Sequence, residues 1–271
     1  MDLSLFLADD HTAISRNDIR ECRLPLENFD VRRMWQSYYA KKPAMKKAFE
    51  QFTEDWNNRW QHLPRPQAGI ISWKREELEK DFAVHFQNGA LRQKLRESCL
   101  CGYAAVWTIG GELEEKAFNV IKKSAMQAMF LDIAGTLLLA MIRNEIRRFL
   151  TSEAFCGDEA FVLIGEYIPE LCHDNGSDVE IDPRLALLVE PWTRTDSERR
   201  PVFSLHNSGV MYPLKTQCSM FFVGKEGTSE HLAFNTVPCS NCAGKKCLAA
   251  QFNGCHLPRE CQPWLNIERI S

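Results

Sequence analysis

The chain has 271 residues, of which 45% are apolar and 25% charged, and its formal net charge is −3. This composition is ordinary for a water-soluble globular protein with one large domain or two modest ones. The pI near 6.2 argues against nucleic-acid binding, because proteins that bind phosphate backbones usually carry a basic excess.

The sequence predicts neither export nor membrane insertion. The N-terminal residues have no basic region, and their apolar run is too short for a signal peptide. The longest apolar stretch, residues 125–142, contains Asp132 and is shorter than the roughly 20 predominantly apolar residues of a spanning helix. We therefore expect a buried core helix there, and a cytoplasmic protein without a membrane partner.

Residues 1–63 are predicted to form a helical N-terminal segment. Aromatic side chains between residues 32 and 61 recur every three or four positions, which suits a helix that packs one face on a core. The two prolines that follow His62 make a stiff connector to the rest of the chain.

The middle of the chain alternates strand-like and helix-like segments. The predicted strands cover residues 68–74, 99–109, 202–205, 210–212 and 218–223. The predicted helices cover residues 75–86, 91–97, the stretch after Gly110 and Gly111, 125–150, and 158–171 with a break at Pro169. Residues 185–190 are compatible with either a strand or a helical turn.

Five of the eleven cysteines lie within the 23 residues from 239 to 261. A chain without export features is not expected to build a disulfide framework, because the cytosol keeps thiols reduced. The clustering therefore needs another cause. Its spacing is C-x2-C-x4-C-x7-C-x5-C, formed by Cys239, Cys242, Cys247, Cys255 and Cys261.

Four thiolates from such a segment suit a [4Fe–4S] cluster or a tetrahedral zinc ion. Zinc usually takes its ligands from two C-x2-C pairs, and only one such pair is present, so the spacing favours iron–sulfur. Cys239, Cys242 and Cys247 are the first three predicted ligands. Cys255 is the preferred fourth and Cys261 the alternative. Unligated thiols remain a third interpretation.

Three segments upstream resemble one protein family. Thr108 to Glu114 has the form T-x-G-x-E-x-E, and Leu131 to Gly135 has the form L-D-x-x-G. Residues 208–219, SGVMYPLKTQCS, are similar to a strand pair of the form S-x-M-x-P-x-K-S-x-S. Together they resemble the activation domain of vitamin B12-dependent methionine synthase, in its stand-alone form with a cysteine-rich tail.

The resemblance implies an α+β fold, with a twisted antiparallel sheet flanked by long helices over residues 64–230 and a metal-binding cysteine knuckle over 231–271. It also implies work on cobalamin carried by a partner, a corrinoid protein or cobalamin-dependent methyltransferase. The candidate cofactor-contacting residues are Asp132, Glu112, Lys215 and Tyr212. For Asp132 a buried core acid is the competing interpretation, and for Glu112 and Lys215 a solvated charge.

One family feature is missing. The R-P-x-x-G-Y loop that grips S-adenosylmethionine in full-length methionine synthase has no counterpart here, so the sequence does not support that ligand at that position. Reduction of Co(II) to Co(I) needs a low-potential electron donor, and a [4Fe–4S] cluster reaches such potentials. The resemblance and the cysteines therefore predict an electron-delivering reactivation module. The alternatives are a non-catalytic adaptor with a structural zinc knuckle and an S-adenosylmethionine-binding methyltransfer domain.

Overall fold

The computed structural model describes residues 1–9, 19–26, 29–32, 43–85, 89–152, 161–169, 173–174, 179–180, 183–193, 201, 203–206 and 209–225. Its strands are β1 Asp2–Ala8, β2 Arg20–Pro25, β3 Gln67–Lys74, β4 Cys101–Thr108, β5 Phe161–Tyr167, β6 His173–Asp174, β7 Val179–Glu180, β8 Ser204–Leu205, β9 Met211–Tyr212 and β10 Thr216–Lys225. Its α-helices are α1 Lys46–Asp55, α2 Arg75–Glu77, α3 Gly89–Ser98, α4 Glu112–Ile121, α5 Ala125–Leu150 and α6 Pro183–Thr193.

Six of these strands form one sheet in the order β2-β1-β3-β4-β10-β5. Only β1 and β3 run parallel, and the other neighbours are antiparallel. The pairs β6–β7 and β8–β9 are separate short hairpins. The predicted α+β class is therefore confirmed for the described residues. The prediction of an antiparallel sheet holds for every neighbouring pair except β1 and β3, which run parallel.

Both faces of the sheet are covered, which explains its apolar strands. Along β1, Leu3, Leu5 and Leu7 point to one core, and Phe6 and Ala8 point to the other, because side chains alternate along a strand. Strands buried on both faces read as continuous apolar runs rather than alternating ones. The predicted helical segment over residues 1–63 is therefore wrong at β1 and β2, which belong to this sheet.

Helices on each face complete the two cores. Helices α1, α4 and α5 cover one face, and the helical turns of residues 75–85 together with α3 and α6 cover the other. Gly69 of β3 permits the close approach of α6, because an added Cβ would lie 2.4 Å from the indole of Trp192. On the opposite face, the Trp107 indole N–H donates to the Leu139 carbonyl at 3.1 Å and so joins β4 to α5.

Helix α5 has 26 residues and is the longest described element. By length and composition it could cross a membrane, but 61% of its most apolar 18-residue window is buried inside the protein. It begins at an N-cap, where the Ser124 hydroxyl accepts a hydrogen bond from the Gln127 amide. The predicted core helix over residues 125–150 is confirmed.

A buried ion pair joins α5 to the far edge of the sheet. Arg143 of α5 donates two hydrogen bonds to Glu166 of β5, at 2.7 and 2.5 Å, and the Ser219 hydroxyl of β10 donates a third at 2.7 Å. Burial alone would raise the pKa of Glu166, but the Arg143 charge and the three hydrogen bonds hold it below its usual range. The carboxylate is therefore ionised at neutral pH.

Most other predicted elements are confirmed with small shifts in their bounds. The strands at residues 68–74 and 218–223 and the helix at 91–97 are present. In place of one continuous helix over 75–86, the short helix α2 is followed by π- and 3-10-helical turns that end at His85, the last described residue of this stretch. The predicted helix over 158–171 is wrong, because residues 161–167 form β5 and pair with β10. Residues 183–193 are helical, so residues 185–190, which were compatible with a strand or a helical turn, belong to a helix.

We expect the substitution Glu166→Gln to lower the free energy of unfolding by about 3–5 kcal/mol, because it leaves the buried Arg143 guanidinium without its counter-charge. Urea denaturation at neutral pH measures this loss. Glu166 is an acid with a lowered pKa, so its contribution is present above the unfolded value of about 4.3 and is lost as the pH falls toward the folded value.

The matched control is Glu50→Gln on α1, where Glu50 forms an exposed pair with Lys46. Its effect should stay within about 0.5 kcal/mol, because solvent screens surface pairs. Equal losses in the two variants would show that the buried network does not hold α5 against the sheet.

Candidate functional site

The three sequence segments that carry the family resemblance meet at one end of the sheet. Strand β4 ends at Thr108, which pairs with Thr216 at the start of β10. The Thr108 hydroxyl donates to the Lys215 carbonyl at 2.9 Å, and the Gly110 amide donates to the same hydroxyl at 3.2 Å. Residues about a hundred positions apart in the sequence are thus in direct contact.

Glu114 of α4 holds the turn that enters β10. One of its carboxylate oxygens accepts the Leu214 amide at 3.1 Å, and the other accepts the Lys215 amide. Two backbone donors that precede the strand are therefore satisfied by one side chain. Sequence reasoning selected its neighbour Glu112 and missed Glu114, although both belong to the T-x-G-x-E-x-E pattern.

Lys215 reaches from this turn to α5. Its ammonium lies 2.6 Å from Asp132 Oδ1 and 3.1 Å from the Thr136 hydroxyl, one helical turn further along. The Lys215 side chain is 19% exposed and the Asp132 side chain 64%. The interpretation of Asp132 as a buried core acid is wrong, and so is that of Lys215 as a solvated charge.

Gly135 lets this lysine lie flat against α5. An added Cβ would sit 3.4 Å from Lys215 Cε, 3.1 Å from Ile109 and 3.3 Å from Leu113. The glycine of the L-D-x-x-G pattern therefore marks a close approach of the turn, the end of β4 and α4 to the long helix.

Glu112 and Tyr212 lie at the margins of this cluster. Glu112 pairs with Arg65 across 2.7 Å, and Gly110 beside it has a φ of +80°, in the left-handed region that favours glycine. Tyr212 belongs to the β8–β9 hairpin opposite Ser204 and is half exposed. The structure thus brings Asp132 and Lys215 into direct contact, whereas Glu112 has a different partner.

A groove of about 540 Å³ opens beside the Lys215 cluster, between α4 and α5. Most of its lining is apolar, and its charged lining residues are Glu114, Asp132 and Lys215. The apolar lining consists of Leu113, Ala117, Phe118, Ile121, Ala125, Ala128, Met129, Leu131 and Leu214. The Glu114 carboxylate is occupied by two backbone amides, and the Asp132 carboxylate contacts the Lys215 ammonium. An apolar wall with fixed charges at one end is an arrangement that suits binding.

A second, more polar cavity of about 890 Å³ lies between the β1–β2 hairpin and residues 56–67. Arg65 lines this cavity and also pairs with Glu112, so its guanidinium connects the cavity with the start of α4. No sequence motif indicated this cavity, because its walls come from separate parts of the chain, including β1, β2 and the residues before β3.

The predicted metal ligands Cys239, Cys242, Cys247, Cys255 and Cys261 lie outside the described residues. Within the described part of the chain, no group of three or more His, Cys, Asp or Glu side chains could hold a metal ion. Burial raises the pKa of the Cys99 thiol to about 12, so this thiol is protonated and a poor metal ligand at neutral pH.

No family model and no curated protein matches the chain. Among solved structures it is similar to a crystal structure of the MetH reactivation domain bound to AdoHcy, with a TM-score of 0.43 and 11% sequence identity. The similarity covers 89% of this chain and 82% of that chain. At this TM-score and identity it assigns neither a family nor a function.

We expect Glu114→Ala to lower the free energy of unfolding by about 1–3 kcal/mol, because two backbone amides lose a charged acceptor. The Leu214 and Lys215 amides should also exchange with deuterium faster, which NMR-detected hydrogen exchange measures residue by residue.

Glu115→Ala is the matched control, since Glu115 lies in the same first helical turn and is exposed. It loses a similar interaction with the helix dipole but no contact to the turn. Unchanged exchange at Leu214 and Lys215 in the Glu114 variant would contradict the role of this carboxylate.

Proposed function

We propose that this chain is an accessory protein of a cobalamin-dependent methyltransferase. In this proposal it docks on the corrinoid-carrying partner in the cytoplasm. It delivers one electron from an iron–sulfur cluster on its C-terminal cysteines, so that inactive Co(II) is reduced to Co(I).

The observation that carries the proposal is the convergence of the three family-like segments. Three short patterns that each match by chance would have no reason to touch one another in the fold. Here Thr108, Glu114, Asp132 and Gly135 all contact the turn that contains Lys215. These contacts are made by the residues that define the patterns. This supports the interpretation that the three patterns belong to one family-like site.

The groove beside this cluster is the proposed contact surface for the corrinoid partner. It combines an apolar wall with a polar end formed by Glu114, Asp132 and Lys215. Buried apolar contacts would supply affinity, and the fixed charges would set orientation. Glu112 and Tyr212 belong to two of the segments that form this end, and their roles as contacts are part of the proposal.

The cysteine tail supplies the redox half of the proposal. Cys239, Cys242 and Cys247 would be three thiolate ligands, with Cys255 as the fourth and Cys261 as the alternative. A [4Fe–4S] cluster would supply a low-potential one-electron donor. The neighbouring Lys245 and Lys246 would offset the negative charge of the thiolates and lower their pKa values.

We expect protein purified without oxygen to be brown, to contain iron and acid-labile sulfide, and to give an EPR signal on reduction. Triple replacement of Cys239, Cys242 and Cys247 by Ser should abolish all three properties, because the oxygen ligands bind such clusters poorly. Cys22→Ser, on strand β2, is the control and should leave the iron content unchanged.

Metal content also separates the alternatives. A colourless protein with one zinc per chain would support the adaptor with a structural zinc knuckle and would overturn the electron-transfer role. Comparing Cys255→Ser with Cys261→Ser identifies the fourth ligand, because only the ligand variant should lose iron.

We also expect the reduced protein to convert cob(II)alamin on a cobalamin-dependent methyltransferase to cob(I)alamin, followed by the cobalamin absorbance. Phe118→Asp should slow this conversion about tenfold or more, because a charge placed in an apolar contact weakens docking. Its iron content should stay normal. Calorimetric titration with S-adenosylmethionine tests the methyltransfer alternative, and heat of binding would support that alternative.

A further inference from the structure

The groove between α4 and α5 opens onto an apolar surface. Phe118 and Leu214 are 67% and 60% exposed, and Ile121, Met126 and Met129 are also exposed. Four of these five side chains line the groove, and Met126 lies on the first turn of α5 beside it. A contiguous set of large exposed apolar residues usually marks an interaction surface.

The charges around this surface are separated along the helical hairpin. Residues 122–124 join α4 to α5, so the two helices are antiparallel neighbours. Lys122 and Lys123 lie at this connection and are exposed, and the Lys122 ammonium lies 5.2 Å from the Phe118 ring centre. The connection end of the groove is therefore basic.

The opposite end of the groove carries two carboxylates and one ammonium, those of Glu114, Asp132 and Lys215, so its net charge is negative. Asp132 lies seven residues after Ala125 on α5, and Glu114 lies seven residues before Ile121 on α4. Seven residues of helix span about 10 Å, so both carboxylates lie two turns from the connection. Asp132 Oδ1 pairs with Lys215, and the Asp132 side chain remains 64% exposed.

We infer that this surface binds a second copy of the same chain in a symmetric dimer. A two-fold axis across the middle of the groove places the basic end of one copy opposite the acidic end of the other. Lys122 and Lys123 of each copy then face Asp132 and Glu114 of its partner. A two-fold interface requires this self-complementarity, because the same patch serves both partners.

The apolar residues occupy the middle of the arrangement. Met129 lies on α5 about midway between the two ends, close to the two-fold axis, and Met126 lies on the first turn of α5 beside the basic end; both flexible side chains can adapt to a partner. Phe118 lies beside them on the other wall of the groove. The patch is smaller than the roughly 20–30 residues a side of a standard interface, so the dimer is weak and dissociates on dilution. This inference does not rest on the proposed function.

Sedimentation velocity of the full chain over a range of concentrations tests the inference. The weight-average mass should rise with concentration from 31.2 kDa toward twice that value. Phe118→Asp should keep the protein monomeric throughout that range. Val84→Asp is the matched control, because Val84 is an exposed apolar residue outside the groove, and this variant should dimerise like the unmodified chain.

The charge pattern has its own test. The double variant Lys122→Glu, Lys123→Glu places acids opposite Asp132 and Glu114, and it should raise the dissociation constant about tenfold or more because like charges repel across an interface. The difference from the unmodified chain should shrink at high salt. These surface changes should leave the circular dichroism spectrum and melting temperature unchanged.

Three outcomes would overturn the inference. The first is a monomer at every concentration, and the second is a dimer that persists in Phe118→Asp. The third is a lysine double variant that dimerises as tightly as the unmodified chain. None of these results bears on the metal content.

Discussion

The pairing of β4 with β10 is the constraint on which the candidate site depends. Its register places Thr216 opposite Thr108, so the turn before β10 meets the start of α4. From that position Lys215 reaches α5, and Glu114 reaches the backbone of the turn. A shift of one residue would turn the side chains of β10 to the opposite face of the sheet and would also separate these contacts.

The far edge of the sheet is fixed by a different interaction. Arg143 anchors α5 to Glu166, while Lys215 anchors an earlier part of the same helix. Two ion pairs thus attach helix α5 to the rest of the fold. The Arg143–Glu166 pair is buried, whereas in the Lys215–Asp132 pair the aspartate is largely exposed. Helix α5 provides one wall of the groove, and the contact between Lys215 and Asp132 lies at the polar end of that groove.

Sequence patterns predicted the elements whose local signals agree with their tertiary environment. Helix α5 has an N-cap at Ser124 and basic residues in its last turn, and its predicted and observed bounds coincide. Strand β5 was misassigned because Glu166 interrupts its apolar run, and only the fold shows that Arg143 compensates this charge. Strand β1 was missed because a short apolar run buried on both faces has no alternation to reveal it.

The candidate site was predictable only in part, for a similar reason. Asp132 and Lys215 were selected from short patterns, but their mutual contact depends on β4 and β10 pairing across about a hundred residues of sequence. Glu114 was missed because its partners are backbone amides of a distant turn, and Arg65 was missed because its partner is Glu112 on another element. Neither contact leaves a recognisable spacing in the chain.

The two interpretations of the groove constrain each other. A groove of about 540 Å³ between two helices accommodates one occupant at a time. A second copy of the chain and a corrinoid partner would therefore compete for Phe118 and Asp132, and each would lower the apparent affinity of the other. A weak dimer would be displaced readily, and it would keep an exposed apolar surface covered while no partner is bound.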